Sequence, residues 1–171
     1  MADFSLTYQM ILLELCERAR TPLSNAQISD FTASLDFMDY FTTQETLHGL
    51  VDADMLTVES THNHTLYRAT EKAREALRQY HAEVPPDIRE SINAYLRHNQ
   101  LAIRQDNALT ANYRPSGDGG YLCSLRVLEN DRIILSLLLH VSSEAAAEAV
   151  CTNWRARHAQ VHETILDQLL S

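Results

Sequence analysis

Two stretches of this chain carry the same helix-starting pattern, a hydroxyl residue followed three positions later by a side chain that can reach back to it: Ser24 with Gln27, and Thr42 with Glu45. In that pattern the hydroxyl accepts from a backbone N–H of the first turn, while the later side chain accepts from the N–H of the cap residue, so each pair marks a helix start. The two starts lie so close together that the helix between them must be short. Short helices are marginal alone and gain their stability from packing. The fold must therefore gather several short helices around one core.

The flanking pattern agrees. Tyr8, Ile11, Leu12, Leu15, Cys16 and Ala19 recur at helical spacing and predict a first amphipathic helix ending before Thr21-Pro22, with one face in the core. The helix from Ser24 buries Ile28 and Phe31 and ends near Leu35; the helix from Thr42 turns Leu47, Leu50 and Val51 inward. Two extended runs follow, Met55 to Ser60 and Thr65 to Ala69, joined by the polar tip Thr61-His62-Asn63-His64, which predicts a hairpin. Thr70 caps a fourth helix carrying Ala73, Leu77 and Tyr80. Val84-Pro85-Pro86 ends it, since paired prolines force extended backbone, and the domain boundary is placed there.

Beyond the prolines, Ile88, Ile92, Tyr95, Leu96, Asn99 and Ile103 share one face of a fifth helix running from Asp87 to about Asn107. Leu109 to Arg114, Tyr121 to Glu129 and Arg132 to Val141 read as an antiparallel meander, turned at Ser116 to Gly120 and at Asn130-Asp131. Ser142-Ser143 can cap a last helix with a long stripe from Ala147 through Trp154 and His158 to Leu169. The third strand is apolar on both faces, so a cover is expected on each: the last helix on one, a second subunit on the other. The fold class is α+β, with an N-terminal domain over residues 1–84 and an α-β-β-β-α module over residues 85–171 that serves dimerisation or sensing.

A chain of 171 residues with 45% hydrophobic content can bury about 70% of the surface its unfolded form exposes, so it needs no staples. Cys16, Cys123 and Cys151 are odd in number, far apart and set among apolar neighbours, which predicts buried free thiols. No run reaches the roughly 18 apolar residues of a membrane span, and Met1 to Leu6 lacks a secretory pattern, so a cytoplasmic protein with no membrane partner is expected. The net charge is −9. Residues 1–84 hold six Lys/Arg against thirteen Asp/Glu, or −7, and residues 85–171 eight against ten, or −2. A face that grips phosphate should lean the other way.

The order helix, helix, helix, two-strand wing, helix over residues 5–83 resembles the winged helix-turn-helix of MarR-like and PadR-like transcription regulators. The run Tyr67-Arg68-Ala69-Thr70-Glu71-Lys72-Ala73-Arg74-Glu75-Ala76-Leu77 looks like their junction after the wing, with Ala73 where they usually carry glycine. Nearly the whole chain is similar to the uncharacterised bacterial domain of unknown function 4364 family. The residues behind that likeness are Ile11-Leu12-Leu13, Pro22-Leu23-Ser24-Asn25-Ala26-Gln27-Ile28, Met38-Asp39-Tyr40-Phe41-Thr42, Pro85-Pro86-Asp87-Ile88-Arg89-Glu90 and Cys151-Thr152-Asn153-Trp154. The resemblance implies an N-terminal winged helix-turn-helix, an appended α/β module and a regulatory role.

In a helix-turn-helix the outward face of the third helix enters the major groove. Here Glu45, Gly49 and Asp52 point most directly outward, flanked by Thr46 and His48, and no Lys or Arg lies between Thr42 and Met55. The DNA-contact candidates are Thr42, Thr43 and Gln44 at the helix N-terminus, Thr46 and His48 on its face, and His62, Asn63, His64 and Arg68 on the wing. Two functions compete: a dimeric DNA-binding transcription regulator, favoured by fold analogy, and a winged helix recruited for protein–protein contact, favoured by the acidic helix. Partners are thus double-stranded DNA or a protein, with a homodimer built through the C-terminal module.

No enzyme, cofactor or metal is expected. His158 and His162 have the spacing of a shared metal site, but His158 sits on the apolar stripe, where a packed histidine fits better. His62-Asn63-His64 resembles a nuclease tripeptide only superficially, and Gly117, Gly119 and Gly120 lie between two strands, where they make a turn and not a phosphate cradle.

Overall fold

The computed structural model of this chain describes residues 4–60, 62, 64–130 and 132–171. It is mixed helix and sheet, α+β, and resolves into two compact units.

The first unit takes in Met1–Glu59 and Thr65–Arg104. Its centre is α1, Phe4–Ala19. Every position from Met10 to Cys16 is buried, Glu14 included, so this helix is enclosed all round and not amphipathic as its spacing suggests. After α1 come β1 (Leu23–Ser24), α2 (Asn25–Ala33), α3 (Tyr40–Asp52), β2 (Leu56–Ser60), β3 (Thr65–Ala69) and α4 (Glu71–Gln79). A 3-10 turn, His81–Glu83, then leads to α5, Pro86–His98. Ile28 and Phe31 of α2, Leu47 and Leu50 of α3, Tyr67 of β3, Ala73 of α4 and Ile92 of α5 join α1 in one core. Burying each large aliphatic side chain there contributes about 1.5–3 kcal/mol.

The sheet of this unit has the order β1-β3-β2, with Leu23 opposite Tyr67 and Ser24 opposite Leu66. The first capping box forms as its residues require: Ser24 Oγ accepts from the Gln27 N–H, and Gln27 Oε1 accepts from the Ser24 N–H. The second does not. Asp39 caps α3 by accepting from the Thr42 N–H, so the helix opens at Tyr40 and Thr42 lies inside its first turn. A carboxylate facing unpaired N–H groups and the positive helix end is a stronger cap than a hydroxyl.

Two further corrections concern the middle of the chain. The predicted single helix from Asp87 to Asn107 is divided: α5 ends at His98, and α6 spans Gln100–Ala108. Asn99 stands between, its side-chain amide donating to the Tyr95 carbonyl, the local competition with helix bonds typical of asparagine. The compact units also divide after Arg104, not at the proline pair, because Ile88, Ile92 and Ile103 all belong to the core around α1.

The second unit comprises Ser60–His64 and Gln105–Ser171. Its meander is β4 (Leu109–Pro115), β5 (Tyr121–Glu129) and β6 (Arg132–Val141), antiparallel throughout, with Ala111 opposite Leu125 and Leu125 opposite Leu137. Helix α7, Glu144–Leu170, is capped by Ser143 and packs Ala147, Cys151 and Trp154 on one face of the sheet against Ala111, Cys123 and Leu125. The other face of β6 stays open in the single chain: Leu138 is 66% exposed and Ile133 59%. No helix among the described residues is long and apolar enough to cross a membrane.

Candidate functional site

Helix α3 carries the surface that its sequence marks for contact. With Leu47 and Leu50 fully buried, Glu45, His48, Gly49 and Asp52 come out exposed. This face presents two carboxylates and no cation.

The polar residues near the start of α3 are committed inward. Thr43 is wholly buried; its hydroxyl lies 2.9 Å from Thr32 Oγ1 and 2.8 Å from the Asp39 carbonyl, so it is removed from the set of surface contacts. Position 43 is one helical turn before Leu47, which puts it on the buried face despite its hydroxyl. Gln44 exchanges hydrogen bonds with Asn25, at 2.7 and 3.1 Å, and donates to Ser29 at 3.3 Å, tying α3 to α2. Thr46 donates to the Thr42 carbonyl at 2.7 Å. The Thr42 backbone N–H and hydroxyl both bond Asp39, holding that carboxyl below the usual aspartate range. Of the five candidates on α3, His48 is the one that is exposed.

The wing candidates divide. Within the second unit, the His62 N–H donates to the Ala111 carbonyl at 2.8 Å, and its ring Nε2 lies 3.2 Å from Thr152 Oγ1. His64 Nε2 lies 3.4 Å from an Arg155 guanidinium nitrogen. Arg68 is exposed on β3 beside Glu59 and Pro22. Asn63 lies outside the described residues.

The aromatic residues of the link leading into α3, which the sequence marks only as a connector, are exposed. Phe41 is 81% exposed, Tyr40 59% and Phe37 46%, the last stacked on Tyr8 at 5.9 Å. Tyr40 and Phe41 meet edge to face. A longer charge count would have added a second signal. From Thr21 to Tyr67, 47 consecutive residues spanning β1, α2, α3 and β2 hold no Lys or Arg and seven Asp/Glu. The surface is acidic and aromatic.

In the second unit, Ser116, Asp118 and His140 gather at the β4–β5 turn. The Ser116 hydroxyl donates to Asp118, and His140 Nε2 stands 3.0 Å from both the Ser116 and Asp118 oxygens. Hydrogen bonds from Ser116 first, then from His140, keep the Asp118 carboxyl well below its ordinary range. A catalytic relay needs the carboxylate on the opposite ring nitrogen from the nucleophile. Here both contacts fall on one nitrogen, an arrangement that clamps a turn. His158 is half-buried beside Trp154, its Nδ1 3.1 Å from the Arg155 carbonyl, and no three potential metal ligands gather among the described residues.

A family model described as Domain of unknown function (DUF4364) matches residues 8–169. No curated protein and no solved structure matches the chain.

Proposed function

The chain belongs to the DUF4364 family, and from that premise we propose that its first unit is a winged helix-turn-helix used to bind a protein, working as a homodimer built through the second unit. The order α1-α2-α3-β2-β3-α4, with β1 completing a three-stranded sheet, supports the winged-helix reading. The observation that carries the choice of partner is the 47-residue run without Lys or Arg across the whole α2–α3 surface. DNA carries one negative charge per roughly 1.7 Å of helix axis, and binding it depends on cations that displace its counterions. Glu45 and Asp52 would meet it with like charge. Exposed aromatic rings beside carboxylates suit a partner surface that is apolar at its centre and basic at its rim, since buried aromatics dominate protein interfaces.

The homodimer reading rests on the open face of β6 and on the far half of α7, where Leu166, Leu169 and Leu170 are exposed and no residue after Trp154 is buried. Exposed apolar patches of this kind mark association. A two-fold axis would place the same patch on both sides.

DNA-binding transcription regulation is the second reading. The element order and the exposed Arg68 on β3 favour it. Binding of random-sequence duplex DNA, followed by anisotropy as salt rises, decides between them. The protein-binding reading expects no saturable binding at physiological salt and no enriched sequence. Enrichment with a steep salt dependence would transfer the conclusion to DNA.

A further inference from the structure

A cleft of about 560 Å³ opens in the first unit between α1, α4, the 3-10 turn and α5, far better supplied with cations than the rest of this acidic chain. Arg18, Arg74, Arg78 and Arg89 line it against Glu14 and Glu17; with Glu71, which pairs with Arg74 and Arg78, four positive charges face three negative, or +1 in a chain of net −9. The internal carboxylates do not saturate these guanidinium groups. Glu14 is shared, pairing with Arg18 through Nε and lying 3.3 Å from Arg89 Nε. That Arg89 nitrogen is the one buried side-chain polar atom without a hydrogen bond among the described residues, while Arg89 Nη2 donates to the His81 carbonyl at 2.7 Å. Arg74 is held between Glu17 and Glu71, and Arg78 reaches Glu71 at 3.5 Å. Each guanidinium offers five N–H donors in a planar fork, so most donors here have no acceptor among the described residues.

We propose that this cleft binds a small molecule bearing an oxyanion, a carboxylate or a phosphate, clamped by Arg78, Arg74 and Arg89 with its body against Leu77 and the arginine stems. The volume lies within the usual range of small-ligand sites, and Arg is the residue suited to two-pronged recognition of either anion. Glu14 holds Arg89, Glu17 holds Arg74 and Glu71 holds Arg78 before the ligand arrives. The site is independent of what α3 binds, so its test uses the protein alone.

The experiment is calorimetric titration of the full chain with inorganic phosphate and, separately, with benzoate, at constant ionic strength set by chloride. One of the two anions saturates a single site, and whichever does so identifies the class. Arg78→Gln weakens that binding by about tenfold or more, without moving the urea midpoint of unfolding, because Arg78 is mostly exposed and makes one long contact. Arg97→Gln, a control on α5 outside the cleft lining, leaves it unchanged. The proposal is overturned if neither anion binds below about 10 mM, or if the two variants weaken binding equally, which would reveal charge screening in place of a site.

Discussion

The hydroxyls of Thr32 on α2 and Thr43 on α3 meet 2.9 Å apart in the interior of the first unit, both side chains about 1% exposed or less. Thr32 passes the chain on by donating to the Ser29 carbonyl at 3.1 Å, so the two helices share a buried polar thread in place of an apolar contact. Removing one member takes a hydrogen bond from the other, which keeps its backbone partner, Ser29 for Thr32 and Asp39 for Thr43. Thr43→Val should cost about 1–2 kcal/mol in urea unfolding, and Thr32→Val a similar amount. The double variant should cost less than the sum, with a coupling of at least about 0.5 kcal/mol. Strict additivity would show that the two hydroxyls do not depend on each other.

The Asp39 cap makes the start of α3 sensitive to pH. Its carboxyl is held below the ordinary value, mainly by the Thr42 N–H, so the ionised form is favoured in the folded state. A carboxyl depressed on folding contributes stability above its unfolded value, near 3.9, and loses it as pH falls through the folded value. Asp39→Asn keeps a capping oxygen but cannot titrate. The difference in urea midpoint between wild type and this variant should therefore be constant at neutral pH and shrink below about pH 4. A difference that stays constant down to pH 2 would remove the charge from the account.

Much of both units is legible from local chemistry because their helix starts are local. Ser24, Thr70 and Ser143 each cap the helix they were expected to cap, since the donor and acceptor lie within one turn. What escaped depends on distance in sequence. Strand β1 is two residues long and exists only through its pairing with Tyr67 and Leu66. The burial of Thr43 was readable from its place one turn before Leu47, but a hydroxyl conceals an inward position when polarity alone is scored. The wing histidines read as DNA contacts in the sequence, where their neighbours in the fold, Ala111, Thr152 and Arg155, lie tens of residues away.

The cysteines give a third test. The Cys123 thiol on β5 contacts the Ala147 carbonyl of α7 at 4.0 Å, a contact invisible in sequence spacing, and burial pushes the Cys151 thiol up to about 11. Burial, reinforced by the Glu17 charge, takes Cys16 to about 12. The thiolate is the reactive form, so at pH 8 none of the three should react with a thiol-exchange dye on the timescale of minutes. All three should react at once in denaturant. Rapid native labelling of one equivalent would identify an accessible thiol and contradict the packing around it.

The open face of β6 predicts self-association. Light scattering at micromolar concentration should give twice the chain mass. Leu138→Arg, which adds charge to a side chain 66% exposed in the single chain, should return monomer mass while keeping the helical circular dichroism signal. If wild type is already monomeric, the exposed leucines need another explanation.

Reversing the charge of α3 tests whether its acidity keeps DNA away. Glu45 and Asp52 are exposed on its outward face, so replacing both with lysine should leave the core undisturbed and change only what the helix presents. On the protein-binding reading, wild type shows no saturable affinity for duplex DNA, and the double variant gains weak, sequence-independent binding. Each phosphate newly neutralised should add about 0.9 to the steepness of log K against log salt, so two lysines bring a slope near −2. A wild type that already binds with a steeper slope than this would mean that cations outside α3, Arg68 foremost, suffice to hold DNA despite the acidic helix. The partner would then be nucleic acid.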